Sequence, residues 1–181
     1  MRRAATLDPL SLLISVNTGW VLYLGRRYEA AVRQETSTVR LWPSFGPVHY
    51  HLGLAYEQIN RYPEAIAELE RARALSGDLP YLLGTLGHAY AVAGRRDDAR
   101  RLLWALERNY DLAPSFAALI YTGMGDKTRA LDWLEKAFDQ RDAYLAFLQV
   151  SPVWDPLRGE ARFQTLLGRL QSTAVATPRA P

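Results

Sequence analysis

Hydrophobic residues recur along most of the chain at the spacing of an α-helix. Over residues 46–79 they fall at three- and four-residue steps in two stretches: Val48, Leu52, Ala55, Tyr56 and Ile59, then Ala65, Ile66, Leu69, Ala72 and Leu75. Such spacing places apolar side chains on one face of a helix. Asn60 and Arg61 interrupt the pattern between the two stretches. The segment is therefore predicted to form two helices joined by a short turn.

The same pattern returns every 34 residues. Segments that begin at Leu12, Gly46 and Pro80 align without gaps, and a fourth begins at Asp111 after a linker three residues shorter. The residues in register include Gly19, Gly53 and Gly87, then Ala31, Ala65 and Ala99, with Ala118 and Ala130 in the fourth copy. Self-similarity at a fixed period indicates a repeat architecture. The small residues are expected where paired helices approach closely.

The repeat resembles the tetratricopeptide repeat family, a 34-residue helix–turn–helix with a glycine, a tyrosine and later alanines at fixed positions. The matching residues are Leu52, Gly53, Tyr56, Ala65 and Ala72, then Leu86, Gly87, Tyr90 and Ala99. The resemblance covers about residues 4–140 and implies an all-α, right-handed superhelical solenoid of antiparallel helix pairs. The first repeat departs from the pattern at Thr18, Glu35 and Thr38. Its second helix is therefore expected to pack loosely or to meet a partner.

The repeat register also predicts the organisation of the chain. We expect the end of a truncated preceding repeat at 1–9 and about four repeats over 10–141, at 12–45, 46–79, 80–110 and 111–141. A C-terminal helical cap is expected at 142–171, and a disordered tail at 172–181. Phrases such as GDKTRALDWLEKAF also resemble the C-terminal repeat region of larger bacterial regulatory proteins.

In the tetratricopeptide family the first helices of successive repeats line a concave groove that binds a peptide. Carried onto this register, the groove residues are Asn17, Trp20, Tyr23, Tyr50, His51, Leu54, Glu57, Gln58, Tyr81, Thr85, His88 and Phe116. Aromatic side chains commonly dominate the energy of protein interfaces. The expected ligand is an apolar or aromatic segment with a positive charge for Glu57. The other interpretation is that Trp20 and Tyr23 are simply buried against neighbouring structure.

Composition changes this picture little. Apolar residues make up 49% of the chain and charged residues 23%, with a net charge of +3 and no cysteine. Basic residues recur at the turns between paired helices: Arg26, Arg27, Arg61, Arg95, Arg96 and Lys127. They predict a basic ridge along one edge of the solenoid. The favoured interpretation is that these side chains are simply solvated at the turns, and the other is that they bind an acidic protein or a nucleic acid. The apolar run at 10–24 is too short and too polar for a membrane span, which favours a cytoplasmic protein.

The sequence contains no catalytic or cofactor motif. No nucleophile elbow, phosphate loop or zinc-binding helix motif occurs. His51, His88 and Glu57 form the best metal constellation, but hydrogen-bonded histidines are the favoured interpretation, so no metal or cofactor is expected. Trp42, Trp104, Trp133 and Trp154 are expected to fill the core.

Two functions remain open. The leading hypothesis is a non-catalytic scaffold that binds a peptide or protein segment in the groove. The alternative is an in-cis accessory fragment of a larger enzyme or transcription regulator, since the chain starts inside a repeat. Because the preceding repeat is truncated, the apolar face of residues 10–24 is expected to be partly uncovered. This predicts either a homodimer through this face or shielding of the face by residues 1–7.

Overall fold

The computed structural model describes residues 9–109 and 114–176, with side chains over 12–108 and 114–172. These parts of the chain form α-helices and two short 3₁₀ helices, with no strand among them. The α-helices, numbered in chain order, are α1 (Pro9–Leu24), α2 (Tyr28–Leu41), α3 (Gly46–Gln58), α4 (Tyr62–Ser76), α5 (Pro80–Val92), α6 (Arg96–Asn109), α7 (Pro114–Gly123), α8 (Lys127–Asp139) and α9 (Ala161–Ala176). The prediction of an all-α repeat solenoid is confirmed.

The first eight helices pack as four successive pairs, and each pair contacts the next. Within each pair the turn uses one residue of left-handed backbone conformation: Arg26, Asn60, Gly94 and Gly125, with φ between 59° and 80°. The residue that follows each of them donates a backbone hydrogen bond to a carbonyl in the first helix of the pair. For example, the N–H of Arg61 donates to the carbonyl of Tyr56 at 3.0 Å. This geometry ends a helix and reverses the chain. Its recurrence shows that the 34-residue register is a structural repeat.

The glycines in register allow the paired helices to approach closely. A Cβ atom on Gly53 would lie 2.6 Å from Cγ of Leu69 on the neighbouring helix α4. Gly19 lies in the same way against the carboxylate of Glu35 on α2. Gly53 therefore has a steric role between the paired helices, whereas Gly87 allows close approach to Ile120 on α7 of the next repeat.

Helix α2 packs tightly, so the expectation of a loose second helix is wrong. Glu35 and Thr38 are both buried. The Thr38 hydroxyl donates a hydrogen bond to the Gln34 carbonyl at 3.0 Å, which satisfies it within the helix. The Glu35 side chain lies in the space left by Gly19. Glu35 and Thr38 therefore occupy buried positions in the core and do not form an exposed face of α2.

The chain ends differ from the expected boundaries at one place. Helix α9 continues to Ala176, so the first half of the predicted disordered tail, 172–176, is helical. The tail has no helix breaker before Pro178, and its alanines extend the helix at little cost. The rest of that tail, and the truncated repeat predicted at 1–9 up to residue 8, lie outside the described residues.

After α8 the repeat pattern stops, and residues 143–157 take a different path. They contain two 3₁₀ helices, Ala143–Phe147 and Pro152–Leu157. Leu145, Leu148, Val153, Trp154 and Leu157 from this segment are all buried. We call residues 143–157 the strap, because they run back across the first helices of the repeats. Helix α9 then packs on α8.

Candidate functional site

The predicted groove residues do lie on the first helices of the repeats, but half of them are buried. Tyr23, Tyr50, Leu54, Glu57, Thr85 and His88 are buried. Trp20, His51, Gln58, Tyr81 and Phe116 are partly exposed, and Asn17 is exposed. Ring contacts join neighbouring repeats, with Trp20 stacked on His51 at 5.1 Å and Tyr50 against Tyr81 at 5.0 Å. The structure therefore brings Trp20, His51, Tyr50 and Tyr81 together, on a face that is largely covered.

The strap is what covers this face. At one end, the backbone N–H and hydroxyl of Ser115 on α7 donate hydrogen bonds to Asp142, at 3.1 and 2.6 Å. At the other end, the guanidinium of Arg26 beside α1 donates two hydrogen bonds to the carboxylate of Asp155, one of them at 2.8 Å. The strap thus spans from the last repeat back to the first.

Aromatic contacts hold the middle of the strap against the same face. Tyr144 packs against Phe116, with ring centroids 4.7 Å apart, and Phe147 packs edge-on against Trp20 at 5.9 Å. Six of the twelve predicted groove residues are therefore buried, and a role of the other six in ligand binding stays a prediction. The strap lies outside the 34-residue register, so the repeat pattern carried no information about where it folds.

Glu57 has a partner inside the protein. Its carboxylate lies 3.0 Å from Nδ1 of His88, and both side chains are buried. A buried carboxylate that already has an acid–base partner is not accessible to a cation on a ligand. The expectation that a ligand's positive charge meets Glu57 is therefore wrong.

The other two histidines are also paired with glutamates from neighbouring helices. His49 Nδ1 lies 2.6 Å from Glu68, and His51 Nδ1 lies 3.5 Å from Glu35. Burial raises the pKa of Glu35, because the charged carboxylate loses its hydration. Among the described residues no group of three His, Asp or Glu side chains is placed to hold a metal ion.

Two buried tyrosines, Tyr23 and Tyr50, and the partly exposed Tyr144 lie where the strap meets the repeats. Burial raises the pKa of Tyr23 and of Tyr144 well above the ordinary value, and raises that of Tyr50 as well. The Tyr23 hydroxyl has no hydrogen-bond partner among the described residues. A neutral phenol is therefore favoured at each position at neutral pH.

Part of the aromatic face remains accessible. The partly exposed rings are Trp20, Tyr81, Phe116, Tyr144 and Phe147, which we call the aromatic floor. Successive ring contacts of 4.7–5.9 Å connect them through Tyr50 and His51. Tyr144 and Phe147 were missed from the sequence. The one feature of the sequence that could have indicated them is the spacing of two aromatic residues three positions apart. They lie in the segment Ala143–Phe147, outside the 34-residue repeat.

The predicted basic ridge is largely neutralised by acidic neighbours. Ion pairs join Arg26 to Asp155, Arg61 to Glu64, Arg95 to Asp98 and Lys127 to Glu160. The guanidinium groups of Arg61 and Arg95 also lie over the rings of Tyr56 and Tyr90, at 4.7 and 4.3 Å. These cations therefore stabilise the turns, in keeping with the favoured interpretation of the sequence.

One tryptophan departs from the expected core role. Trp154 is fully buried in the strap, but Trp104 on α6 is 59% exposed. The Arg108 guanidinium lies 4.7 Å from the centre of the Trp104 ring. The position lies on the outer face of α6, which carries Arg100 and Arg101 one turn before it, so Trp104 is a surface residue.

The fold defines a class of helical-repeat protein built from stacked helix–turn–helix pairs. Within that class, a family model for the tetratricopeptide repeat matches residues 46–77, which span α3 and α4. The match identifies a tetratricopeptide repeat at these residues, and such repeats generally mediate protein interactions and are typically non-catalytic. The comparison with curated proteins finds no match. No described helix is long and apolar enough to cross a membrane.

Proposed function

We propose that the protein is a non-catalytic scaffold that binds an apolar, aromatic-containing segment of a partner protein on the aromatic floor. The observation that carries the proposal is the run of partly exposed rings from Tyr81 through Trp20 and Phe147 to Phe116. In this proposal the strap forms part of the binding surface. It is not a plug that the ligand displaces, because Trp154 and Leu157 within it are fully buried.

The chemistry of the floor suits such a ligand. Aromatic side chains bury a large apolar area, and tryptophan and tyrosine also offer a polar tip that can hydrogen-bond to a peptide backbone. Interfaces of this kind depend on a few aromatic residues, each contributing about 2 kcal/mol or more on truncation. We therefore expect Trp20 to be an energetic centre of the site.

A peptide selection on the full chain tests this proposal. Peptides selected from a phage-displayed random library against the immobilised protein are measured by fluorescence anisotropy. The Trp20→Ala variant should bind them roughly tenfold more weakly or worse, since about 1.4 kcal/mol corresponds to a factor of ten. Trp104→Ala is the matched control, because it removes an exposed tryptophan from another helix. Equal affinity for the wild type and the Trp20→Ala variant would contradict the proposal.

The role of the strap is tested by Phe147→Ala. If the ligand lies on the floor, loss of this ring weakens binding. If the ligand instead replaces the strap, loss of the Phe147–Trp20 contact makes the strap easier to displace, and binding becomes tighter. The direction of the change therefore separates the two modes of binding.

The in-cis accessory role remains a second proposal. The exposed apolar face of α1 supports it, because a preceding segment of a longer polypeptide could pack there. In that case peptides selected against the isolated chain would concentrate on α1, and their binding would not depend on Trp20.

A further inference from the structure

A carboxylate lies directly behind the aromatic floor. Glu35 on α2 is fully buried, and neither of its side-chain oxygens has a hydrogen bond to a described residue. A Cβ atom added to Gly19 on α1 would overlap this carboxylate, which therefore lies against the backbone next to Trp20. Buried polar groups in proteins are nearly always hydrogen-bonded, so an unpaired carboxylate at this place requires an explanation.

His51 connects this carboxylate to the floor. Its Nδ1 atom is buried 3.5 Å from Oε1 of Glu35 and has no hydrogen bond to a described residue. The His51 ring is stacked on the indole of Trp20, with centroids 5.1 Å apart and an angle of 19° between the planes. Trp20 also stacks on Tyr23, at 5.2 Å. The position of the Trp20 ring therefore depends in part on a histidine that faces an unpaired carboxylate.

A single proton can join these two groups. A carboxylate only accepts hydrogen bonds, and a neutral imidazole has one nitrogen that donates and one that accepts. Protonation makes both ring nitrogens donors, so an imidazolium at His51 directs an N–H towards Glu35. Its positive charge also strengthens the attraction to the face of the Trp20 indole. Proton uptake therefore fixes the His51 ring between the carboxylate and the indole.

Few other ionisable groups face this pair from α1, α2, α3 or the strap. No residue of Pro9–Leu24 on α1 carries a charge, and of the charged side chains on α2 only that of Glu35 is buried. Burial raises the pKa of Tyr23 on α1, of Tyr50 on α3 and of Tyr144 in the strap. These phenols therefore stay neutral in the physiological pH range.

The histidines and glutamates that connect α3 to α4 and α5 already have partners. His49 on α3 is hydrogen-bonded to Glu68 on α4 at 2.6 Å. His88 on α5 is hydrogen-bonded to Glu57 on α3 at 3.0 Å. The contact behind the floor has no such bond, so it is the pair whose geometry changes when a proton is added.

We propose that Glu35 and His51 are positioning residues for Trp20, and that a proton taken up by this pair tightens ligand binding on the aromatic floor. The effect rests on the proposed function, because it acts through Trp20 on the same floor. A ligand gains affinity when a larger fraction of the protein is in the binding-competent arrangement. By linkage, the bound ligand also favours uptake of the proton. Binding is therefore tighter at acidic than at neutral pH.

The response of Trp20 to pH can be measured without a ligand. The chain has five tryptophans, and the indole N–H signal of Trp20 in the NMR spectrum is identified by its loss in Trp20→Phe. We expect this signal to shift between about pH 5 and pH 8, the range in which histidine normally changes its charge. Glu35→Gln should move the midpoint to lower pH, because an amide does not favour the imidazolium. Glu68→Gln removes a carboxylate paired with another histidine of α3 and should leave the midpoint unchanged.

The library-selected peptides test the effect on binding. A peptide without ionisable side chains, whose affinity depends on Trp20, is measured by fluorescence anisotropy at acidic and neutral pH. For the wild type we expect roughly two- to fivefold tighter binding at about pH 5.5 than at about pH 8, the size of a cation–π contact at a partly exposed site. Glu35→Gln should lose most of this difference, and the control Glu68→Gln should keep it.

The two measurements separate this proposal from the proposed function. A Trp20 signal that does not respond to pH, or that responds alike in the wild type and in Glu35→Gln, overturns the positioning role. A Trp20-dependent peptide with equal affinity at both pH values overturns the effect on binding. Peptides that bind independently of Trp20 would instead contradict the proposed function, and the NMR response would still decide whether Glu35 and His51 position Trp20.

Discussion

At the residue scale, the buried carboxylate of Glu35 explains why the first repeat departs from the family pattern. Its side chain fills the space against Gly19, and its oxygens lie near Nδ1 of His51 without a hydrogen bond. A buried carboxylate in such a place costs free energy when it is ionised. Glu35 is therefore a polar residue that the fold tolerates at a cost in stability, and that cost depends on pH.

Glu35→Gln should stabilise the protein at neutral pH. Burial raises the folded-state pKa of Glu35 above its unfolded value. Its favourable contribution is therefore complete at low pH and is lost as the pH rises through the folded-state pKa. A neutral glutamine avoids this loss, so the melting temperature should rise at about pH 7–8, by roughly 2–4 °C per kcal/mol recovered. The advantage should vanish near pH 4, below the usual glutamate pKa of about 4.3.

Glu64→Gln provides the control for this experiment. Glu64 is a surface residue whose pKa is lowered by its ion pair with Arg61. Its replacement should change the melting temperature little and in the opposite direction. Destabilisation by Glu35→Gln at neutral pH would show that an ion pair with protonated His51 outweighs the cost of burial.

At the element scale, the sequence predicted the helices and their register well. The reason is that helix periodicity, turn residues and close-approach glycines are local features that recur in every repeat. The path of the strap could not be predicted, because its partners are distant along the chain: Asp155 binds Arg26 across 129 positions. The register predicted that the groove residues lie on the first helices, but it did not predict the contacts of Trp20 and Phe116 with the strap.

The close approach of α3 and α4 gives a testable prediction. Gly53→Ala should destabilise the protein by about 1–3 kcal/mol, the usual cost of overpacking, since its Cβ would lie 2.6 Å from Leu69 Cγ. Gly168→Ala, at a helical position on α9 with nothing within 4 Å, should stabilise it by about 0.5–1 kcal/mol through helix propensity. Urea unfolding followed by circular dichroism measures both. A neutral Gly53→Ala would show that the two helices can move apart freely.

At the scale of the whole molecule, the strap joins the first and last repeats. Repeats in an open solenoid contact only their neighbours, so such proteins can unfold in stages. Here the Arg26–Asp155 and Phe147–Trp20 contacts connect α1 to the C-terminal end of the chain. The four helix pairs are therefore expected to unfold as one cooperative unit.

Trp154→Ala tests this coupling. Trp154 is fully buried, so its truncation should cost about 3–5 kcal/mol. In the wild type, unfolding followed by circular dichroism and by tryptophan fluorescence should give coincident transitions, whereas in the variant the two transitions should separate. Trp104→Ala should change the stability by no more than about 0.5 kcal/mol. Separate transitions already in the wild type would show that the strap does not couple the repeats.

The strap also limits how this architecture can vary in length. An open array can gain or lose a whole unit, because each unit needs only a neighbour on either side. Here residues 143–157 must reach from Ser115 on α7 to Arg26 beside α1. Duplicating one helix pair would carry Arg26 away from Asp155 and leave Trp154 without its surroundings. Insertion of an extra 34-residue unit would therefore require a matching extension of the strap, so the number of repeats is fixed by the reach of a single segment.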